Sequence, residues 1–338
     1  MAEPQRRAQR RGFARRAGWG DARESLLAGD ASFRRYYRLT RGTESAVLMD
    51  APPPQEDVRP FVTVGRHLGA LGFSAPAILA EDAAAGFLLI EDLGDDTYAR
   101  VLARKPPPPG GDETSLYALA TDVLVHLHGF GARALLPGLT AYAGDALIEA
   151  AMLLPEWWLP AVEGRPATEG ELESYRGAWH AVLAAMPAAR HTLLLRDFHQ
   201  DNLMWLPQRP GIRACGLLDF QDAQLGHPAY DLVSLIEDAR RDIAPTLHAT
   251  MLDRYCVGAG AADRKDFKAA FAILAAQRHA RVIGLFVRLL KRDGKPDYLQ
   301  HLPRVWRLFE QALAHETLTP LRVWVDRHVP PLRRVLTT

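Results

Sequence analysis

Lysine and asparagine are almost missing from this chain of 338 residues. It has five lysines (Lys105, Lys265, Lys268, Lys291, Lys295) beside 36 arginines, and its only asparagine is Asn202. Nearly every positive charge therefore sits on a planar guanidinium, which can grip an oxyanion through two N–H groups at once. The single asparagine is informative, because most solvated Asn positions accept a substitute and a metal-ligand position often does not. Cysteine is scarce as well. Cys215 and Cys256 stand alone with no C-x-x-C pair, which excludes a cysteine-based zinc site and argues against a disulfide-stapled secreted fold. The longest uninterrupted apolar run, Ala269–Ala276, is eight residues, against the roughly 20 needed to cross a bilayer. No membrane span is expected. The Arg-rich N-terminus lacks the apolar stretch of a secretory signal, so a reducing cytoplasm is the expected location.

Several phosphate and nucleophile motifs are missing too. The only Gly-Lys, Gly294-Lys295, is followed by Pro296, so there is no Walker-type P-loop. No G-x-G-x-x-G follows a strand and no G-x-S-x-G occurs, which excludes a dinucleotide fingerprint and a nucleophile elbow. His126 and His128 are two apart, on different faces of a helix, and cannot form an i, i+4 zinc pair; they read as ordinary helix-end histidines.

What is present is long enough for about two domains, with 48% hydrophobic and 24% charged residues. The net charge of +1 conceals an uneven distribution: residues 1–20 carry +5, residues 271–338 carry +7, and the middle is −11. A basic arm could contact nucleic acid, but without interleaved aromatics or a helix-turn-helix pattern no nucleic-acid partner is expected. Residues 1–20 read instead as a solvated helix ahead of the first domain.

The first hundred residues read as strands. Ser32 to Thr40 and Ala46 to Ala51 form a hairpin around Arg41-Gly42-Thr43-Glu44, Pro52-Pro53-Pro54 stops it, Val58–Leu71 has helical spacing, and Ala77–Ala80 and Phe87–Ile90 are further strands. After Glu91-Asp92-Leu93-Gly94 long helices take over: Glu113–Phe130, Glu169–Met186 with a Thr168/Glu171 capping box, Tyr230–Ile243 and Asp266–Arg292. Two short apolar strands, Thr192–Leu195 and Ala214–Leu218, interrupt the helical part.

The chemistry gathers between and after those strands, in Leu194–Trp205 (LLRDFHQDNLMW) and Cys215–Ala223 (CGLLDFQDA). Asp197 and Asn202 are five apart on a loop, and Asp219 follows 17 residues later at a strand end. Phosphoryl transfer needs a carboxylate to orient and deprotonate the attacking hydroxyl, and hard oxygen ligands to hold Mg²⁺ on the phosphates. Asp197, Asn202 and Asp219 supply these.

At these residues the chain resembles the aminoglycoside phosphotransferase-like kinases. That family's H-G-D-x-x-x-x-N corresponds to Leu195-Arg196-Asp197 through Asn202, its I-D-F to Leu218-Asp219-Phe220, and its G-x-P-x-Y-D-L-A to the stretch from Gly226 through Pro228 to Tyr230-Asp231-Leu232. The resemblance covers roughly residues 25–310. It implies an α+β, two-lobed protein-kinase-like fold: a basic arm or helix over 1–20, a small β-rich N-lobe over 21–94, and a larger helical C-lobe over 95–338. It further implies ATP and Mg²⁺ as cofactors, Asp197 as base, Asn202 and Asp219 as metal ligands, Asp231 as a buried strut, and Glu91 and Leu93 in the hinge that addresses adenine. Within the family, GDASFRRYYRL, VLMDAPP, LLRDFHQDNLMWL and LLDFQDAQLGHPAYDLVSLIEDARRD resemble the bacterial cell-wall-recycling kinases that phosphorylate the anomeric hydroxyl of N-acetylmuramate and N-acetylglucosamine.

The chain departs from the family pattern at two places. Leu195 replaces the usual His, and with no lysine before Lys105 and no Glu in Val58–Leu71 the usual Lys–Glu clamp is missing. Positive charge for ATP must then come from arginine, and Arg34, Arg35 and Arg38 on the first hairpin are the candidates, Arg35 facing opposite to the other two; Ser32 beside them is a further expected ATP contact. The basic C-terminal part suits an acceptor bearing a carboxylate better than a polycation. Trp157 and Trp158 could stack on a pyranose, with helix packing as the competing reading, and Arg240 could grip a carboxylate, with a solvated helix end as its competitor. The expected partner is a small-molecule amino sugar. Another acceptor (an aminoglycoside, choline, homoserine) and a nucleotide-binding pseudokinase scaffold are the alternatives; oligomeric state cannot be read.

Overall fold

Strands that are apolar at successive positions must be covered on both faces, and Ala46-Val47-Leu48-Met49 and Phe87-Leu88-Leu89-Ile90 read that way. In the computed structural model, which describes residues 3–29, 33–260 and 264–336, both are interior strands of a five-stranded antiparallel sheet. In chain order the elements begin α1 (Glu3–Arg16), β1 (Arg23–Gly29), β2 (Arg35–Arg41), β3 (Glu44–Asp50), α2 (Arg59–Ala70), β4 (Ile78–Asp82), β5 (Phe87–Glu91), α3 (Tyr98–Ala103) and α4 (Glu113–Gly129). They continue with β6 (Ala141–Tyr142), α5 (Asp145–Ala151), α6 (Leu159–Glu163), α7 (Glu169–Ala184), β7 (Thr192–Leu194), β8 (Leu203–Trp205), β9 (Cys215–Leu217) and β10 (Gln224–Gly226). The last are α8 (Ala229–Ile236), α9 (Pro245–Gly258), α10 (Arg264–Asp293), α11 (Leu302–Leu313) and α12 (Thr319–His328). The chain divides into two compact units, Met1–Leu119 with Gln200–Ala223, and Ala120–His199 with Gln224–Thr338. The class is the expected α+β, with a β-rich unit and a larger, mainly helical one.

In the first unit the strand order is β1-β2-β3-β5-β4. One face of the sheet presents Tyr37, Leu39, Ala46, Leu48, Phe87 and Leu89, and Phe13 and Ala14 of α1 pack on it. This corrects the expectation of a solvated helix over residues 1–20. Arg6, Arg10, Phe13 and Ala14 are all buried, at the i, i+4, i+7, i+8 spacing of one helix face. The charges are matched inside: Arg6 Nε donates to Asp50 Oδ1 at 2.7 Å, and Arg10 Nη1 to Asp50 Oδ2 at 3.1 Å and Nη2 to Glu24 Oε1 at 2.9 Å. The two guanidinium groups also lie 3.8 Å over the rings of Phe87 and Tyr37 respectively. β1 was not expected from sequence; it is an edge strand whose Leu26 and Leu27 are exposed, so it lacks the alternation of a half-buried strand.

The second unit is built around α10, 30 residues long. By length and composition α10 could cross a membrane, but 83% of its apolar window is buried inside the protein; it is a core helix. It packs against α8, α11 and one wide helical turn, Leu154–Trp158. At the closest approach sits Gly284, where a β-carbon would lie 2.1 Å from the Leu153 backbone. α12 lies against α7, with the Tyr175 and Trp324 rings 4.5 Å apart, and the Thr168/Glu171 capping box starts α7. β10 pairs antiparallel with β7 and parallel with β6. The expected helix from Tyr230 to Ile243 stops at Ile236. Glu237 leaves helical geometry with ψ of 42°, and its carboxylate is taken by His248 Nε2 at 3.0 Å and His279 Nε2 at 2.6 Å.

Asp50→Ala should leave the Arg6 and Arg10 guanidinium groups buried without their shared acid, at a cost of about 3–5 kcal/mol. Arg35→Ala, whose partner Glu3 is exposed, should cost no more than about 1 kcal/mol. Urea midpoints of the two variants test this, and a midpoint for Asp50→Ala equal to the parent's would refute the docking of α1.

Candidate active site

The boundary between the units runs between His199 and Gln200, inside the loop that carries Asp197 and Asn202. In the first unit, β8 and β9 pair antiparallel, with Leu203 opposite Leu217. Asn202, just before β8, and Leu218-Asp219, just after β9, therefore emerge at one end of the ribbon, where the Leu218 N–H donates to the Asn202 carbonyl at 2.9 Å. Asn202 Nδ2 donates to Asp219 Oδ2 at 3.3 Å, and Gln221 Nε2 to Asp219 Oδ1 at 2.7 Å.

Asp219 has φ of 57°, a left-handed conformation that costs a residue with a β-carbon about 1–2 kcal/mol. Its neighbour enforces it. Phe220 is buried with its ring 4.8 Å from Phe61, and a β-carbon on Gly65 of α2 would come within 3.2 Å of that ring, so Gly65 lets the helix close over it. With Phe220 anchored inward, the Asp219 carboxylate is turned out beside the Asn202 amide. An amide oxygen and a carboxylate on one ribbon end are the hard donors that suit Mg²⁺.

Of the three hairpin arginines, Arg34 is the one that reaches this pair. Its Nη1 is 3.9 Å from Asp219 Oδ1 and its Nε 3.2 Å from Glu56 Oε2. Burial opposes its charge, but Tyr36, Glu56, Asp219 and Asp222 outweigh burial and raise the guanidinium above its ordinary value. Arg35 turns to Glu3 at 2.9 Å. Arg38 ties down the segment after β5, binding Asp92 at 2.7 Å and Asp95 at 2.9 Å, and donating to the Gly94 carbonyl at 3.2 Å. Within that segment the Glu91 N–H is used by Ala77 O at 2.8 Å and the Glu91 carboxylate by Arg209, while Leu93 is half-buried. Ser32 lies outside the described residues.

In the second unit, Asp231 on α8 has no exposed surface. Its carboxylate accepts the N–H of Leu195 at 2.6 Å and of Arg196 at 2.8 Å. Burial pushes this carboxyl up to about 7, against the pull of those N–H groups and Arg278. The clamp holds Arg196 at φ of 65° and presents the next residue, Asp197. Among the described residues, Arg196 and Asp219 are the two non-glycine residues with positive φ, so the backbone strain seen there collects at the candidate chemistry. Burial would raise the Asp197 carboxyl; Arg278, Arg281, His199 and Arg196 outweigh it and hold it below its ordinary value. Arg278 comes from α10, its Nη1 4.0 Å from Asp197 Oδ1 and donating to the Arg196 carbonyl and Tyr230 Oη at 3.4 Å each.

Trp158 is a correction. It is 0% exposed, its ring 5.0 Å from Trp306 and its Nε1 donating to Arg333 O at 3.0 Å. The wide turn rotates it into the core, so it has no face for a sugar. Trp157 remains half-buried, and Arg240 is bound to Asp238 Oδ1 at 3.1 Å.

A model of the phosphotransferase enzyme family matches residues 24–269, a span that includes Asp197, Asn202, Asp219 and Asp231. The chain belongs to this family. This phosphotransferase is 36% identical over 362 residues to an N-acetylmuramate/N-acetylglucosamine kinase of Caulobacter vibrioides, covering 96% of this chain and 97% of the relative. It is 38% identical to an N-acetylmuramate/N-acetylglucosamine kinase of Pseudomonas aeruginosa, covering 88% and 86%. Its fold is similar to that of a choline/ethanolamine kinase family protein from Mesorhizobium loti, with a TM-score of 0.63 at 17% identity, covering 95% of this chain and 98% of the other. The fold is the kinase-like α+β fold of this family, whose members use ATP.

Motif reading missed Glu56 and Arg278. Glu56 stands in a Pro-rich stretch with no pattern of its own. Arg278 had a signal: Gln277-Arg278-His279 is a polar triplet directly after the apolar run Ala269–Ala276, and buried charge in such a place needs a partner. Asp231→Ala should strand the N–H groups of Leu195 and Arg196 and release the strained loop. The expected result is a kcat at least about tenfold lower with little change in ATP affinity; unchanged kcat would mean the loop holds its shape without the clamp.

Proposed function

We propose that this phosphotransferase is an ATP-dependent sugar kinase that transfers the γ-phosphoryl group to the anomeric hydroxyl of N-acetylmuramate and N-acetylglucosamine, as used in recycling cell-wall sugars. The observation that carries the reading is the similarity, over most of the chain, to four relatives bearing the name N-acetylmuramate/N-acetylglucosamine kinase. The charge distribution supports it over a polycationic acceptor, since residues 271–338 carry +7.

In this reading Asp197 accepts the proton of the acceptor hydroxyl as it attacks. The cations around it keep it ionised at neutral pH, the state a base must start from. Asn202 and Asp219 would hold Mg²⁺, which when bound neutralises charge on the ATP phosphates. Arg34, braced by Glu56 and facing Asp219, takes the place of the missing Lys–Glu clamp. A fork of N–H groups can engage two phosphate oxygens where lysine offers a point charge. Arg35 and Arg38 are held by acids of their own, and their contribution to ATP binding is secondary. The adenine-side segment from Glu91 to Leu93 is stiffened by Arg38 and Arg209.

A coupled ATP-consumption assay over amino sugars, aminoglycosides and amino alcohols tests the acceptor. N-acetylmuramate and N-acetylglucosamine should turn over, and phosphorus NMR should show an acid-labile product with phosphate on the anomeric carbon. A stable 6-phosphate, or preference for kanamycin, would overturn the acceptor, and no turnover with any acceptor would favour a nucleotide-binding scaffold.

Two substitutions separate the roles. Asp197→Asn should cut kcat by about 10²–10⁴ while ATP still binds. Arg34→Ala should instead raise the KM for ATP at least about tenfold, roughly 1.4 kcal/mol, and leave the sugar KM nearly unchanged. Steady-state kinetics with each substrate varied will show whether the split appears; if both variants change the same constant, the assignments fail.

A further inference from the structure

Arg196 occupies a backbone position suited to glycine. Its φ of 65° costs a residue with a β-carbon about 1–2 kcal/mol, and glycine stands at this place in the H-G-D motif that the segment resembles. The side chain that brings this cost has not turned away into solvent. Arg196 is half-buried, and its Cζ lies 4.7 Å over the Tyr142 ring. Its Nε is buried without a hydrogen-bond partner, and no acid pairs with its guanidinium among the described residues. This differs from Arg6 and Arg10 of α1 and Arg38 of β2, each of which meets a carboxylate.

The surroundings favour an anion. Tyr142 is itself fixed, its hydroxyl accepting from Gln277 Nε2 at 3.1 Å and its ring edge-on to Tyr230 at 5.1 Å. Arg281, half-buried and one turn beyond Arg278 on α10, adds a second guanidinium whose field is felt at Asp197, Tyr142 and Tyr230 alike. One guanidinium over an aromatic ring, with the charge of a second acting on the same groups, next to the residue that receives the acceptor hydroxyl, suits an oxyanion on the acceptor.

We propose that Arg196, together with Arg281, binds the carboxylate that N-acetylmuramate carries on its lactyl ether and that N-acetylglucosamine lacks. The inference rests on the acceptor reading given above and deepens it by naming what admits the larger, charged sugar. The lactyl ether stands on ring carbon 3 and the reacting hydroxyl on ring carbon 1, so the carboxylate reaches past the base on one side of the ring. Arg196, bonded to Asp197 in the chain, is placed to meet it.

The test compares the ratio of kcat/KM for N-acetylmuramate to that for N-acetylglucosamine in the parent, Arg196→Gly and Arg281→Gln, because a general effect on the neighbouring base cancels in the ratio. Arg196→Gly supplies the residue that the backbone conformation favours, and thermal melting checks that both variants fold. The ratio should fall at least tenfold in Arg196→Gly and at least threefold in Arg281→Gln. The methyl ester of N-acetylmuramate, which has no charge to bind, should show no such change relative to N-acetylglucosamine. If the parent uses both sugars and neither variant alters the ratio, the carboxylate is bound elsewhere and this inference is wrong. If both sugars lose equally and the KM for ATP rises, Arg196 serves the transferred phosphate and the inference is equally wrong. A parent inactive on both sugars overturns the acceptor reading itself.

Discussion

A carboxyl with no exposed surface is costly unless hydrogen-bond donors close around it, and Asp231 meets that cost with the backbone of the segment before Asp197. The N–H groups of Leu195 and Arg196 end on its two oxygens. That contact bends the chain into the left-handed turn at Arg196, and the turn in turn sets where Asp197 is presented and lays the Arg196 side chain over Tyr142. Arg278 closes the arrangement from α10 by bonding the Arg196 carbonyl and Tyr230. Helix α8, the loop and α10 therefore act as one support, and the electrostatics of Asp197 follow from it.

The shortage of lysine shapes both units. Lysine would present a compact, strongly hydrated charge; arginine presents a flat fork with an apolar face. On helix α1 this lets Arg6 and Arg10 lie on aromatic rings of the sheet and still reach Asp50. Near Asp219 it lets Arg34 engage Glu56 and keep an N–H directed to the site. The same property explains how charged side chains can be buried in a core helix: Arg278 is 6% exposed, yet its guanidinium reaches a carbonyl, a phenol and a carboxylate.

What could be read from the sequence was what short stretches decide for themselves. The D-x-x-x-x-N loop, the Asp219-Phe220 strand end and Tyr230-Asp231-Leu232 each carry their chemistry within a few residues, and the hairpin of β2 and β3 follows from propensity and turn composition. What could not be read depends on distant partners. The mean polarity of residues 1–20 hides a face made by Arg6, Arg10, Phe13 and Ala14, because arginine counts as polar until an acid and an aromatic ring receive it. Helix α8 ends early because Glu237 is drawn to His248 and His279, one of them far along α10. Trp157 and Trp158 are neighbours of the same type, and only the width of one helical turn sends one inward and leaves the other half-buried.

The docking of α1 also sets an order of events during synthesis. A ribosome releases α1 well before β3 and β5, yet its apolar strip and two of its arginines have their places on Tyr37, Asp50 and Phe87. Until those residues emerge the helix must wait in water, and a segment as rich in arginine as this one is kept hydrated and apart from other nascent chains by its own charge. The side chains that hold the helix down in the finished protein are the ones that keep it from sticking beforehand.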